Sequence, residues 1–229
     1  MFMRRTVIVL LLALPLTLQG GELLDRIVAR VNAHVILQSD WDDEVRFETF
    51  MSGRKPENVG VEQRQAALDR LIDQELLREQ MRTTNLKPVA SEKIKKQIDD
   101  LKGEQARELP AQSWKATLSK YQLSEKVIEQ HVAAELEQLQ LIDMRFRPSI
   151  RVSDADVAGY YREQVVPKLP TSAPLSLDEA APEIREILIQ QKINQLLNSW
   201  LETLRSQSRI QVLSAIQSSD LQPSAQGTR

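Results

Sequence analysis

The sequence has no cysteine. Without thiols there is no disulfide framework, no thiolate nucleophile and no cysteine-bound metal, so the fold must rest on its apolar core. Glycine is scarce, at seven residues in 229, and aromatics make up only 4%. There is no glycine-rich phosphate loop, no His-Glu-x-x-His and no Asp-rich calcium loop. Histidine occurs twice, as His34 and His131. The sequence places no Ser or Asp beside either, and both read as single surface histidines. Acidic clusters (Asp40, Asp42 and Asp43; Asp99 and Asp100) fit helix termini and solvated faces better than acid–base pairs, whose shifted pKa values need burial. An excess of basic charge is missing too: the net charge is −2, which argues against nucleic acid as a partner. These absences predict a protein that is not an enzyme and that needs no cofactor and no metal.

What is present begins at the N-terminus. Met1 to Arg5 carries Arg4 and Arg5 and no acid, and Thr6 to Leu18 is an almost pure apolar run. Gly20 and Gly21 follow, ahead of the first acid, Glu22. A basic start, a short apolar stretch and small residues at its end predict a signal peptide over residues 1–20 and export to the periplasm. About thirteen apolar positions fall short of the roughly 20 that span a bilayer. Leu18 sits where a small residue suits cleavage after Gly20, so an uncleaved inner-membrane anchor is the alternative. Removing Arg4 and Arg5 takes the charge from −2 to −4. The remaining residues, about 209, are enough for a sizeable core.

A 27% charged fraction with so little glycine predicts helices with solvated faces. Asp25-Arg-Ile-Val-Ala-Arg-Val31 and Val35-Ile-Leu37 read as strands around a turn at Asn32-Ala33-His34. Ser39 reads as the N-cap of a first helix to Met51, with Trp41 and Val45 on one face and Phe47, Phe50 and Met51 on another. The segment from Ser52 to Gly60 is a loop. A second helix over 61–83 carries the stripe Leu68, Leu71, Ile72, Leu76, Leu77 and Met81. A third, capped by Ser91, carries Ile94, Ile98 and Leu101. A short fourth helix holds Trp114, Leu118 and Tyr121. Ser124 caps a fifth, whose seam is Val127, Ile128, Val132, Leu136, Leu139 and Ile142. Ser153 and Asp156 start a sixth that runs to about Val165.

Residues 166–175 contain three prolines and read as a linker. Ser176 and Glu179 form a capping box for a long last helix that Pro182 should kink or restart. Ile210-Gln-Val-Leu213 is a third β-type segment able to pair with the N-terminal hairpin, and 214–229 is a polar tail expected to be disordered. The fold class is therefore mainly α: a multi-helix core module, with a small β-sheet formed by the N-terminal hairpin and a C-terminal strand.

Large apolar groups cluster on short helices beside loops. Phe47, Phe50 and Met51 end the first helix just before a Gly-Pro loop, and Trp114 and Tyr121 lie between connectors. Such faces can stay partly open and hold a non-native segment, so these five residues are the candidate peptide-binding set. Ordinary core packing is the competing reading for each ring.

Helix two, from Ala67 to Met81, resembles the signature helix of the SurA family of periplasmic chaperones. The strand–turn–strand–helix start from Ile27 to Asp40, the helix from Arg151 to Tyr161 and the closing helix and strand from Ser176 to Leu213 are similar to the same family's core module. The resemblance divides the chain into an N-terminal helical domain at 22–165, the linker at 166–175 and a closing segment at 176–213. In that family one or two parvulin-type prolyl isomerase domains lie between these parts, each about a small domain in length. Only eleven residues separate Gln164 from Ser176 here, so no isomerase fits and no catalytic residue is carried over. The resemblance implies a chaperone that holds unfolded polypeptides, outer-membrane protein precursors above all, without ATP. Rival expectations are an envelope adaptor for one specific partner, a degenerate prolyl isomerase relative, and a homodimer formed by swapping the C-terminal helix.

Overall fold

The computed structural model describes residues 25–108, 110–168 and 175–213. The signal peptide expected at 1–20 and the tail at 214–229 lie outside the described residues. The element order is β1 (Ile27–Val31), β2 (His34–Leu37), α1 (Gln38–Met51), α2 (Val61–Arg82), α3 (Ser91–Glu108), α4 (Trp114–Lys120), α5 (Glu125–Phe146), α6 (Asp154–Tyr160), α7 (Leu177–Gln207) and β3 (Ile210–Val212). The class read from the sequence, mainly helical with a small sheet from the two chain ends, is the observed one.

β1 is the central strand. It pairs antiparallel with β2 on one side and with β3 on the other, so the sheet order is β2-β1-β3. Val28, Ala29 and Val31 are fully buried and Arg30 is exposed; the alternation breaks at Val28, where the pairing with β2 shifts register between Ile27 and Ala29. The hairpin closes over Asn32 and Ala33, with Asn32 at φ 54°, a left-handed conformation that Asn tolerates better than most residues. His34 belongs to β2 rather than to the turn.

Trp41 and Val45 of α1 join Leu68, Ile72 and Leu76 of α2 and Leu204 of α7 against the sheet. Phe47, on the opposite flank of α1, joins Leu118, Tyr121, Leu123, Ile128 and Val132 of the α4–α5 region in a second core. A third core joins Leu77, Leu141, Ile142, Phe146 and Ile193, and a fourth seats α6 on the start of α7 through Val157, Ala180 and Ile184.

Several helix starts match their expected caps. Ser124 accepts from the N–H of Val127 at 3.3 Å, and Ser153–Asp156 and Ser176–Glu179 form reciprocal capping boxes. Ser39 does not cap α1. The helix begins one residue earlier, the Asp40 carboxylate accepts from the N–H of Leu37 at 3.0 Å, and Ser39 hydrogen-bonds Asp25 instead. Ser91 is likewise the first helical residue of α3 rather than its cap. Pro182 neither ends nor restarts α7, which runs through it. Leu139, assigned to the α5 seam, is 48% exposed, and Leu141 takes the buried position as the helix passes from the second core to the third. Beyond Tyr160 the helical path continues as a π turn and a 3-10 turn to Lys168, so the first residues of the expected linker are helical. Residues 169–174, which hold two of its prolines, lie outside the described residues. No parvulin-type domain is present among the described residues. No helix among them is long and apolar enough to cross a membrane.

The two chain ends are joined at Asn32. Its backbone N–H donates to the carbonyl of Arg209 at 2.8 Å, and its Oδ1 accepts from the Arg209 N–H at 2.8 Å. Its Nδ2 donates to Glu79 at 2.7 Å. Asn32→Gly keeps the positive φ and removes all three side-chain bonds, the third being from Nδ2 to Ser208 Oγ at 3.3 Å. It should cost about 1–2 kcal/mol, seen as a lower urea midpoint with an unchanged slope; an unmoved midpoint would mean that the side chain does not tie the ends together.

Candidate peptide-binding clefts

Two clefts open along α5. The first is a groove of about 440 Å³ between α3, α4 and α5. Ile94, Ile98, Trp114 and Ile128 supply its apolar walls. Charges rim it: Lys95 pairs with Asp99 at 2.6 Å, and Lys102 lies 3.9 Å from Glu125. Trp114 is half-buried, has Phe50 edge-on at a centroid distance of 5.7 Å, and its buried Nε1 has no hydrogen-bond partner. Phe50 also meets Tyr121 edge-on at 5.5 Å. Four of the five residues singled out in the sequence (Phe47, Phe50, Trp114 and Tyr121) thus come together in one core. Trp114 reaches the groove itself, while Phe47 and Tyr121 are buried behind it. Met51 is separate, 45% exposed on the rim of the other cleft. Ile94 and Ile98 were visible in the sequence only as a helical stripe, because an apolar stripe reads the same whether it faces core or groove.

The second cleft, about 570 Å³, lies between α1, α2 and α5, with α7 contributing Leu201. Phe47, Met51, Leu77 and Leu201 are its apolar lining, and Glu44, Glu48, Asp73 and Glu135 its carboxylates, against the single guanidinium of Arg70. Glu44 is 1% exposed. Its Oε1 lies 3.4 Å from Gln74 Nε2 and 3.8 Å from Arg70 Nε, and its Oε2 has no hydrogen-bond partner. Burial, with Glu48 nearby, pushes its carboxyl up to about 7. His131 is not the surface residue the sequence suggested. It is half-buried, stacked on Phe47 at a centroid distance of 4.1 Å, with Nδ1 3.6 Å from Glu44 Oε2, and burial holds its imidazole below the usual histidine range. Glu44 had a signal in the sequence: counting 100° per residue, it falls about 60° from both Trp41 and Phe47, in the gap between the two apolar flanks of α1.

His34, Glu75 and Glu79 offer three potential metal-ligating atoms within 4.8 Å of one another. Glu75, however, is paired with Arg78 and Arg82, and Arg82 Nη1 lies 2.5 Å from His34 Nε2, so guanidinium charge already occupies the position a cation would take.

The family model described as the SurA-like N-terminal domain matches residues 3–142, more than half of the chain. No curated protein matches the chain.

Glu44 gives the second cleft a measurable signature. Its folded pKa, raised from 4.5 to about 7, makes stability fully present below the unfolded value and lost as pH rises from about 4.5 through 7. Glu44→Gln keeps the shape and removes the titration. Relative to the parent it should gain about 2 kcal/mol more at pH 8 than at pH 5, read from chemical denaturation at the two pH values. An equal effect at both would show that Glu44 titrates as an ordinary carboxylate.

Proposed function

The chain belongs to the SurA-like N-terminal domain family, and on that premise we propose that it is a periplasmic chaperone that holds non-native polypeptides, outer-membrane protein precursors among them, without catalysis or ATP. The observation that carries this reading is the α3–α5 groove, lined by the half-buried Ile94, Ile98 and Trp114 inside a rim of paired charges. A Leu- or Phe-sized side chain buried there contributes roughly 2 kcal/mol. Several such contacts retain a client, yet each can be released without an energy source. Phe47, Phe50 and Tyr121 act in this reading by holding Trp114 in place, and Met51 offers a second, flexible apolar contact. Arg4, Arg5 and the apolar run after them support export.

The test is suppression of aggregation. The purified protein should keep a urea-denatured outer-membrane β-barrel protein soluble on dilution, and Ile98→Asp, a charge placed on the groove floor, should weaken this several-fold with the helical circular dichroism unchanged. Unaltered aggregation at a stoichiometric excess of the parent protein would overturn the reading.

A further inference from the structure

We propose that the cleft between α1, α2 and α5 is a second subsite that takes a basic side chain, lysine or arginine, of the polypeptide held in the α3–α5 groove. The inference rests on the holding function and names the charge that a client presents.

Three observations converge on a cation. The first is the balance of fixed charge. Glu44, Glu48, Asp73 and Glu135 line the cleft with Arg70 as the one guanidinium among the lining groups. Asp73 is engaged by Arg205 at 2.6 Å and Glu48 by Arg70 at 2.5 Å, which leaves Glu135 at the open edge with no ion-pair partner among the described residues. The second is Glu44, a carboxylate buried at the floor whose Oε2 has no hydrogen-bond partner, with His131 Nδ1 3.6 Å away. A buried acceptor without a donor costs stability, and an incoming ammonium or guanidinium offsets that cost. The third is the apolar lining. Phe47, Met51, Leu77 and Leu201 suit the aliphatic stem of a long basic side chain whose charged end reaches the carboxylates.

The position along α5 also fixes a register. Ile128 lines the first cleft and Glu135 the second. Seven residues apart, they lie on nearly the same helix face and about 10 Å from each other along the axis. An extended client advances about 3.3 Å per residue, so a basic residue about three positions from an apolar anchor reaches the second cleft while the anchor stays in the groove.

The experiment uses two fluorescently labelled ten-residue peptides that share a Phe-Leu anchor and differ three positions on, one with lysine and the other with glutamine. Anisotropy titration of the full protein should give about tenfold tighter binding of the lysine peptide, with the ratio falling towards one in 0.5 M salt, where charge attraction is screened. Glu44→Gln should reduce the ratio, and Glu135→Lys, on the exposed edge where folding is not at risk, should reduce it further. The ratio should also be larger at pH 8 than at pH 5.5, because Glu44 ionises near 7. The other titratable groups facing it are Asp43 and Glu48 of α1, Arg70 and Asp73 of α2, His131 and Glu135 of α5, and Arg205 of α7 through Asp73. Equal affinity for both peptides would overturn the inference and leave the holding function standing. Binding of neither would overturn both.

Discussion

Everything in this fold depends on covering the two edges of β1. The strand is buried along one face and cannot leave its second edge open, yet the segment that covers it, β3, lies some 180 residues later in the chain. The intervening helices must therefore bring Ile210 back to Val31, and α7 does so as a single rod of 31 residues, about 46 Å long. Along that rod Ile184 packs against α6, Ile193 against α2 and α5, and Leu204 against the sheet. One helix thus contributes buried residues to three of the four cores. Loop-closure entropy rises only slowly with length, so the long return costs little more than a shorter one would. The contacts that fix it are local: Arg205 bridges to Asp73 and to the carbonyl of Asp69, and Asn32 grips Arg209.

α1 solves a related problem at the other end. It has two apolar flanks, one for the sheet core and one for the aromatic core around Phe50 and Tyr121. A helix with a core on each side also buries the position between its two apolar flanks, and in α1 that position is Glu44. The cleft beside it follows from the same geometry, since α2 and α5 approach α1 from different sides and do not close over its middle.

The sequence made the helix pattern legible because stripes at three and four residues report burial directly. Ser124, Ser153 with Asp156 and Ser176 with Glu179 marked their helix starts because each cap closes within four residues. Failures came where a longer-range contact competed. Ser39 lost the cap to Asp40 because Asp25, fourteen residues away, takes its hydroxyl. Leu139 was drawn into the α5 seam because a fixed period cannot register that the helix changes partner halfway. Of the candidate site, the convergence of Phe47, Phe50, Trp114 and Tyr121 could be suspected from their place beside loops, but not which ring would face solvent. The pairing of Glu44 with His131 joins residues 87 apart on different helices, and no local pattern encodes it.

Glu44 shows what such a pairing means for the design of the fold. Burying a carboxylate with an unsatisfied oxygen costs stability whenever it is ionised, and a glutamine or leucine of similar size would avoid that cost. The position is not forced by helix propensity, since many residues suit the middle of α1. Nor is it required by the neighbouring cores, which already close on either side of it. A position that opposes stability and lies at the floor of an open cleft is where local consistency gives way to a functional demand. The groove on α3–α5 has an apolar counterpart, since Ile94 and Ile98 stay half-buried there while Ile128 beneath them is fully covered. The two clefts therefore share a physical feature, in that each adjoins a group the fold packs incompletely: Glu44 Oε2 without a hydrogen-bond partner in one, and half-buried isoleucines in the other.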